Sequence, residues 1–80
     1  MQRNNIVEKV KEILISVLEH EGFELTDDLV AADVSGWDSL THMIIISSIE
    51  EEFKIKFKLK DLNKMRNIGA LIDIISSKIS

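Results

Sequence analysis

The chain has 80 residues, of which 45% are hydrophobic and 30% charged, a composition that suits one small domain over positions 1–80. It has no cysteine and two histidines far apart in sequence, so it offers neither a disulfide framework nor a recognisable metal site. The net charge is −4, with 12 acidic and 3 basic residues in positions 1–53 but 2 acidic and 7 basic residues in positions 54–80. Because nucleic-acid-binding domains usually carry a net positive charge, we do not expect a nucleic-acid partner.

The apolar residues are too dispersed for a membrane protein. No unbroken apolar run is longer than the four residues of Met43-Ile44-Ile45-Ile46, which is far shorter than the roughly 20 residues of a membrane span. The first residues also lack the apolar core of a signal peptide. We therefore expect a cytoplasmic protein without membrane insertion, and we expect it to be a monomer.

The first predicted element is an amphipathic helix from Ile6 to about His20. Gly22 is expected to supply the left-handed residue that ends it, and His20 a favourable charge or donor at its C-terminus. The apolar residues that recur at offsets of three and four are Ile6, Val7, Val10, Ile13, Leu14, Val17 and Leu18.

Residues 22–37 form a long connection that has no sustained helical period and contains turn-forming residues throughout. Connections of this length are usually functional or disordered. Order is favoured here by five apolar residues, Phe23, Leu25, Leu29, Val30 and Val34. We expect a short helical turn at Asp27-Asp28-Leu29.

A second helix is predicted from Ser39 to Phe53. Asp38 is its predicted N-cap, because this aspartate directly precedes a periodic apolar run. Leu40 and Ile44 fall outside the stripe that would face the core, on the flank that carries Glu51. The stripe itself consists of His42, Ile45, Ile46, Ile49 and Phe53.

Residues 53–60 alternate apolar residues with lysine at the period of a strand. No second segment alternates comparably, so a strand would lack a partner. We predict instead an extended crossover that lays Ile55, Phe57 and Leu59 onto the helices. One or two helical turns should follow around residues 60–64.

Asn67 is predicted to cap the last helix. Its apolar residues at helical spacing are Ile68, Leu71, Ile72, Ile75 and Ile79. The sequence therefore predicts an all-α fold, a small four-helix bundle of three longer helices and one short one with a long first loop.

Ser39 would lie in the first turn of the second helix, where free backbone N–H groups and the helix dipole favour an attached negative charge. Ser39, His42 and Asp38 also raise the question of a hydrolytic site, since Ser and His at i and i+3 can touch on one helix. We expect no catalytic residues, because Asp38 is needed as a cap and no oxyanion hole is recognisable.

The segment Gly36-Trp37-Asp38-Ser39-Leu40, with the helix after it ending in Glu50-Glu51-Glu52-Phe53, resembles the acyl carrier protein family. In that family the serine of an Asp-Ser-Leu motif carries 4'-phosphopantetheine from coenzyme A, and acyl groups are held as thioesters on its terminal thiol. The resemblance implies a carrier without catalysis of its own, with the cofactor on Ser39. The implied partners are a phosphopantetheinyl transferase and acyl- or aminoacyl-loading and acyl-transferring enzymes. These enzymes would contact Asp38, Leu40, Ile44, Glu50 and Glu51.

An aliphatic core can part to admit an acyl chain more readily than one of stacked rings, although packing alone also explains such a core. The candidate lining of an acyl pocket is Ile46, Ile49, Leu71 and Ile72. Two departures from fatty-acid-synthesis carriers favour other partners. The segment after the second helix is basic, and Ile44 and Ser47 replace an acidic and a larger apolar residue.

These departures favour a specialised carrier of an acyl or aminoacyl cargo in surface-polysaccharide, lipid or secondary-metabolite synthesis. The alternative function is an unmodified interaction module, in which Leu40 and Ile44 dock a partner helix and Ser39 only begins a helix.

Overall fold

The computed structural model describes residues 2–79, which form four α-helices and no strand. Helix α1 spans Arg3–Leu18, α2 spans Ser39–Phe53, α3 spans Leu59–Asn63 and α4 spans Ile68–Ile79. A short 3-10 helix spans Ala31–Asp33 in the first loop. The predicted all-α architecture of three longer helices and one short helix is confirmed.

The core lies between α1, α2 and α4, and it is almost entirely aliphatic. Helix α1 contacts both α2 and α4, and it buries Ile6, Val10 and Leu14, which are spaced one turn apart on a single stripe. Phe53 is the one aromatic side chain among the buried residues described in the structure. The least exposed side chains are Ile6, Val10, Leu14, Ile45, Ile49, Ile72 and Ile75.

Helix α1 ends earlier than predicted, and Gly22 does not end it. Glu19 adopts the left-handed conformation, with φ 61° and ψ 29°, and its N–H donates to the carbonyl oxygen of Ile15 at 2.8 Å. The apolar stripe stops at Leu18, so a longer helix would bury nothing further. The prediction for Gly22 is therefore wrong.

The long first loop is ordered because α4 holds it by the backbone. The N–H of Ile68 donates to the carbonyl of Leu29 at 2.9 Å, and the N–H of Gly69 donates to the carbonyl of Asp27 at 3.0 Å. Asn67 Oδ1 accepts a bond from the N–H of Ala70 at 2.9 Å, which confirms the predicted cap. The loop thus satisfies N–H groups that the first turn of α4 would leave unpaired.

The helical turn of this loop lies further along the chain than predicted. Residues 26–29 form an ordinary turn, closed by the N–H of Leu29 on the carbonyl of Thr26 at 3.1 Å, and the helical turn comes at Ala31–Asp33. The carbonyl groups of Asp27 and Leu29 accept hydrogen bonds from α4. They are therefore not available for hydrogen bonds within a helical turn at residues 27–29. Val34, directly after the turn, is buried.

The crossover after α2 has the predicted extended form. Ile55 and Phe57 are half-buried against the core, whereas Lys54, Lys56 and Lys58 are exposed. Leu59 does not pack as predicted: its side chain is 75% exposed. It is the first residue of α3, and that short helix turns Leu62 rather than Leu59 inward.

Two carboxylates hold this part of the chain. Glu50 Oε2 accepts the N–H of Phe57 at 2.8 Å and so ties the crossover to α2. Asp61 Oδ2 accepts the N–H of Lys58 at 2.8 Å and pairs with Lys78 Nζ at 2.9 Å, which fastens α3 to α4.

Candidate functional site

Helix α2 begins with a reciprocal cap between Asp38 and Thr41. Asp38 Oδ1 accepts the N–H of Thr41 at 2.9 Å, and Thr41 Oγ1 accepts the N–H of Asp38 at 2.7 Å. The bond from the backbone N–H of Thr41, followed by that from its side chain, holds the pKa of Asp38 below its ordinary value. The predicted role of Asp38 as N-cap is confirmed.

Thr41 is a positioning residue that sequence reasoning missed. Its hydroxyl also donates to the carbonyl of Gly36 at 2.9 Å. Gly36 has φ +87°, a left-handed conformation that favours glycine, so the chain turns sharply just before the cap. The available signal was the spacing Asp-x-x-Thr, since a hydroxyl at the third helical position can reach back to the cap residue.

Ser39 is the first residue of α2, and it is exposed. It borders an open groove of about 520 Å³ lined by Ala31, Trp37, Asp38, Ser39, His42 and Met43. The N–H groups of the first helical turn are directed toward this end of α2, which gives it a partial positive charge. The hydroxyl is therefore accessible at a place that favours an attached anion.

Trp37 and His42 form a hydrogen-bonded pair beside Ser39. Trp37 Nε1 donates to His42 Nδ1 at 3.1 Å, and the rings stack with centroids 6.2 Å apart at 26°. His42, which belongs to the predicted core-facing stripe of α2, is half-buried. Because Trp37 occupies Nδ1 and Thr41 holds the Asp38 carboxylate, these residues do not form the Ser-His-Asp chain of a hydrolase.

His20 connects the end of α1 to the segment before the motif. Its Nδ1 accepts the N–H of Gly22 at 2.9 Å, and its Nε2 donates to the carbonyl of Ser35 at 2.6 Å. His20 is a donor, as expected, but its acceptor belongs to the loop rather than to the helix end. The imidazole thereby helps to fix the approach of the chain to Gly36.

The residues proposed for partner recognition lie mainly on the exposed flank of α2. Leu40 and Ile44 are 72% and 45% exposed, and Met43 is 57% exposed. Asp38 and Glu51 are also exposed. Met43 and Ile44 lie three and four positions after Leu40, so the three apolar side chains are neighbours on the surface of α2 and form a strip that begins next to Ser39.

Glu50 is placed differently from the other recognition candidates. It is half-buried, and its carboxylate accepts the N–H of Phe57. The C-terminal part of this flank is a shallow groove that mixes charges. Its lining is Ser47, Glu50, Glu51, Lys54, Ile55 and Lys56.

Two of the four candidate acyl-pocket residues line a common cavity. Ile46 and Leu71 border a space of about 50 Å³ between α2, the first loop and the start of α4. Ile49 and Ile72 lie in the core instead, with 0% and 1% exposure. The cavity has room for only about one or two water molecules.

Residues 2–79 contain neither a candidate metal centre nor a helix that could span a membrane. No group of three or more His, Cys, Asp or Glu residues there is arranged to hold a metal ion. None of the helices in that range is long and apolar enough to cross a membrane.

Comparisons with known proteins agree with this geometry. The family described as "Phosphopantetheine attachment site" matches residues 8–75. The acyl carrier protein of Petrotoga mobilis is 28% identical over 80 residues, covering 100% of this chain and 94% of that protein. The acyl carrier protein of Buchnera aphidicola subsp. Schizaphis graminum is 31% identical over 75 residues, covering 94% and 95%. A solution NMR structure of holo acyl carrier protein from Geobacter metallireducens has a TM-score of 0.86 and 36% identity, covering 92% of this chain and 85% of that chain.

The chain therefore belongs to the acyl carrier protein family, as its motif indicated. Members of this family are carriers rather than enzymes, and their covalent prosthetic group is 4'-phosphopantetheine. The surroundings of Ser39 fit such a group. The hydroxyl is exposed, the adjoining groove is open, and the positive end of α2 favours a phosphodiester.

Proposed function

We propose that Ser39 Oγ is the attachment point of the 4'-phosphopantetheine group and that the chain presents acyl cargo from it as a single carrier domain. One observation carries this proposal: Ser39 is exposed, and it is the first residue of a helix that is capped by Asp38. The chain has no cysteine, and the prosthetic group supplies the thiol that holds the cargo as a thioester. The chain's part is to position the hydroxyl and to present the surface around it.

The cap is what positions the hydroxyl. Asp38, Thr41 and Gly36 are joined by three hydrogen bonds of 2.7 to 2.9 Å, so the backbone of Ser39, which directly follows Asp38, has little freedom. The Asp38 carboxylate is directed at the N–H of Thr41. The dipole of the 15-residue helix α2 supports the negative charge of a phosphodiester at this end.

The exposed strip of Leu40, Met43 and Ile44 is the proposed docking surface for the transferase and for the loading and acyl-transferring enzymes. Asp38 and Glu51 supply acidic contacts at its two ends. Partners that alternate on one carrier must leave quickly, so we expect contacts that are weak and short-lived.

We further propose that the partners belong to a specialised pathway for an acyl or aminoacyl cargo, as in surface-polysaccharide, lipid or secondary-metabolite synthesis. The support is the basic surface, defined as six exposed cationic side chains between residues 54 and 66. They are Lys54, Lys56, Lys58, Lys60, Lys64 and Arg66. A partner that recognises acidic groups has a basic docking surface, and the positive charge of residues 54–66 would repel such a surface. The cytoplasmic location and the monomeric state stay predictions.

An acyl pocket behind α2 is a further part of the proposal. Ile46 and Leu71 support it, because both border the cavity. Ile49 and Ile72 can join its lining only if the core opens, since both are fully buried. The cavity must therefore expand to take a chain.

The test is incubation of the purified protein with coenzyme A and a broad-specificity phosphopantetheinyl transferase, followed by intact mass measurement. The proposal predicts a gain of one phosphopantetheine for the wild type and none for Ser39→Ala. An interaction module without a prosthetic group would gain nothing in either case. A gain that persists in Ser39→Ala would assign the attachment to another residue.

A further inference from the structure

Two separate spaces lie on either side of one pair of side chains. The open groove beside Ser39 and the 50 Å³ cavity behind α2 share three lining residues, Ala31, Trp37 and His42. Ala31 contributes only a methyl group. The wall between the two spaces therefore consists mainly of the indole of Trp37 and the imidazole of His42.

A contact between two side chains holds the wall closed. Trp37 Nε1 donates to His42 Nδ1 at 3.1 Å, and the two rings stack. Trp37 precedes the cap of α2, whereas His42 is on the helix itself. A rotation of the indole can break this bond without breaking a backbone bond of α2, so the wall can open while the fold stays intact.

The space behind the wall is mainly apolar, although Arg66 and Asn67 also border it, and its lining is adaptable. Apart from the wall, its aliphatic and thioether lining includes Leu29, Ile46, Met65 and Leu71. Met65 is half-buried and has a flexible side chain that adapts to irregular spaces. In the closed form the cavity of about 50 Å³ is too small for a medium or long acyl chain, so entry of such a chain and expansion must occur together.

We propose that Trp37 and His42 form a gate that decides which cargo leaves the Ser39 groove for the interior. The inference rests on the proposed attachment at Ser39. A long apolar chain gains enough buried surface to displace the pair. A short or polar cargo gains too little, and it stays in the groove, exposed to partner enzymes.

Trp37 is the sole tryptophan of the chain, so its fluorescence reports on the gate directly. The experiment compares apo, holo, acetyl-loaded and decanoyl-loaded protein, each verified by intact mass. We expect the emission maximum to stay the same for the holo and acetyl forms and to shift in the decanoyl form. An unchanged spectrum in fully decanoylated protein overturns the gate while leaving the carrier function standing. Failure to gain phosphopantetheine overturns the carrier function first.

Variants at His42 test whether the Trp37–His42 pair controls the entry of cargo or contributes only to packing. His42→Gln keeps an acceptor for the indole N–H, whereas His42→Leu removes it. Loss of one hydrogen bond should raise the open fraction about fivefold in His42→Leu, so that a shorter chain, such as hexanoyl, already shifts the emission. His42→Gln should keep the wild-type threshold. Equal thresholds in His42→Leu and the wild type contradict the proposal.

Met43→Ala is the matched control, because Met43 lines the groove but not the cavity. It should leave the chain-length threshold unchanged. A threshold that falls as far in Met43→Ala as in His42→Leu would assign the effect to the groove and overturn the gate. Circular dichroism of each loaded form verifies that the helices are intact.

Discussion

The backbone of Gly69 lies directly against that of Asp27: its N–H donates to the Asp27 carbonyl at 3.0 Å. A Cβ atom at position 69 would lie 3.0 Å from the Asp27 Cβ and 3.2 Å from that carbonyl oxygen. The absence of a side chain at this position is therefore what allows the first loop to reach α4. That loop carries the chain to the cap of α2, so the contact also supports the site.

Gly69→Ala should push the loop away from α4. We expect the free energy of unfolding to fall by about 1 to 3 kcal/mol, the usual range for a side chain inserted where there is no room. Urea denaturation measures this loss, and amide exchange at residue 69 should become faster. A stability equal to that of the wild type would show that the loop accommodates the methyl group at no cost.

Thr41→Val removes a hydroxyl while keeping the shape of the side chain. The N–H of Asp38 and the carbonyl of Gly36 then lose their partner, so we expect a loss of about 1 to 2 kcal/mol in unfolding free energy. Thr41→Ser keeps the hydroxyl and is the matched control. Equal stability of the two variants would contradict the role given to Thr41.

The free energy of unfolding should fall at acid pH because the Asp38 carboxylate becomes protonated. Its folded pKa is lowered by the N–H and hydroxyl of Thr41, so its contribution is present above the unfolded pKa, about 4, and is lost as the pH falls through the folded value. The denaturation midpoint, followed from pH 7 to pH 2, should therefore depend less on pH in Asp38→Asn. Asp28→Asn, in the exposed turn of the first loop, should keep the wild-type dependence. Identical profiles for Asp38→Asn and the wild type would show that the Asp38 carboxylate does not contribute to the pH dependence of stability.

Two leucines offer the same substitution in opposite surroundings. Leu14 has 0% exposure and Leu40 has 72%. Leu14→Ala should cost about 3 kcal/mol in unfolding free energy, whereas Leu40→Ala should change it by less than about 0.5 kcal/mol. Leu40→Ala should instead lower kcat/KM of the transferase for this protein. A wild-type kcat/KM in Leu40→Ala would exclude this leucine from the docking surface.

The sequence predicted the parts of the fold that depend on local chemistry. Asp38 before a periodic run and Asn67 before another both proved to be caps, because a cap bonds to residues only three positions away. The buried stripes of α1 and α4 followed from their period. The prediction that Leu59 packs onto the helices was wrong because the alternation with lysine continues into α3, where side chains no longer alternate with a period of two.

Contacts between distant residues were beyond prediction. The bond of Glu50 to the N–H of Phe57 spans seven positions across a change of structure. The bond of Gly69 to Asp27 depends on how the loop crosses α4. The bond of Trp37 to His42 depends on the angle at which the chain enters α2.

The most direct test of the account is to locate the added group on the chain. The protein is treated with coenzyme A and the transferase, digested with trypsin, and examined by tandem mass spectrometry, with Ser35→Ala and Ser39→Ala in parallel. Ser35 is an exposed serine four positions before Ser39 and is the matched control. We predict that phosphopantetheine is found on Ser39 in the wild type, persists in Ser35→Ala and is lost in Ser39→Ala. Its presence on another residue, or its absence from folded wild-type protein, would contradict the central claim.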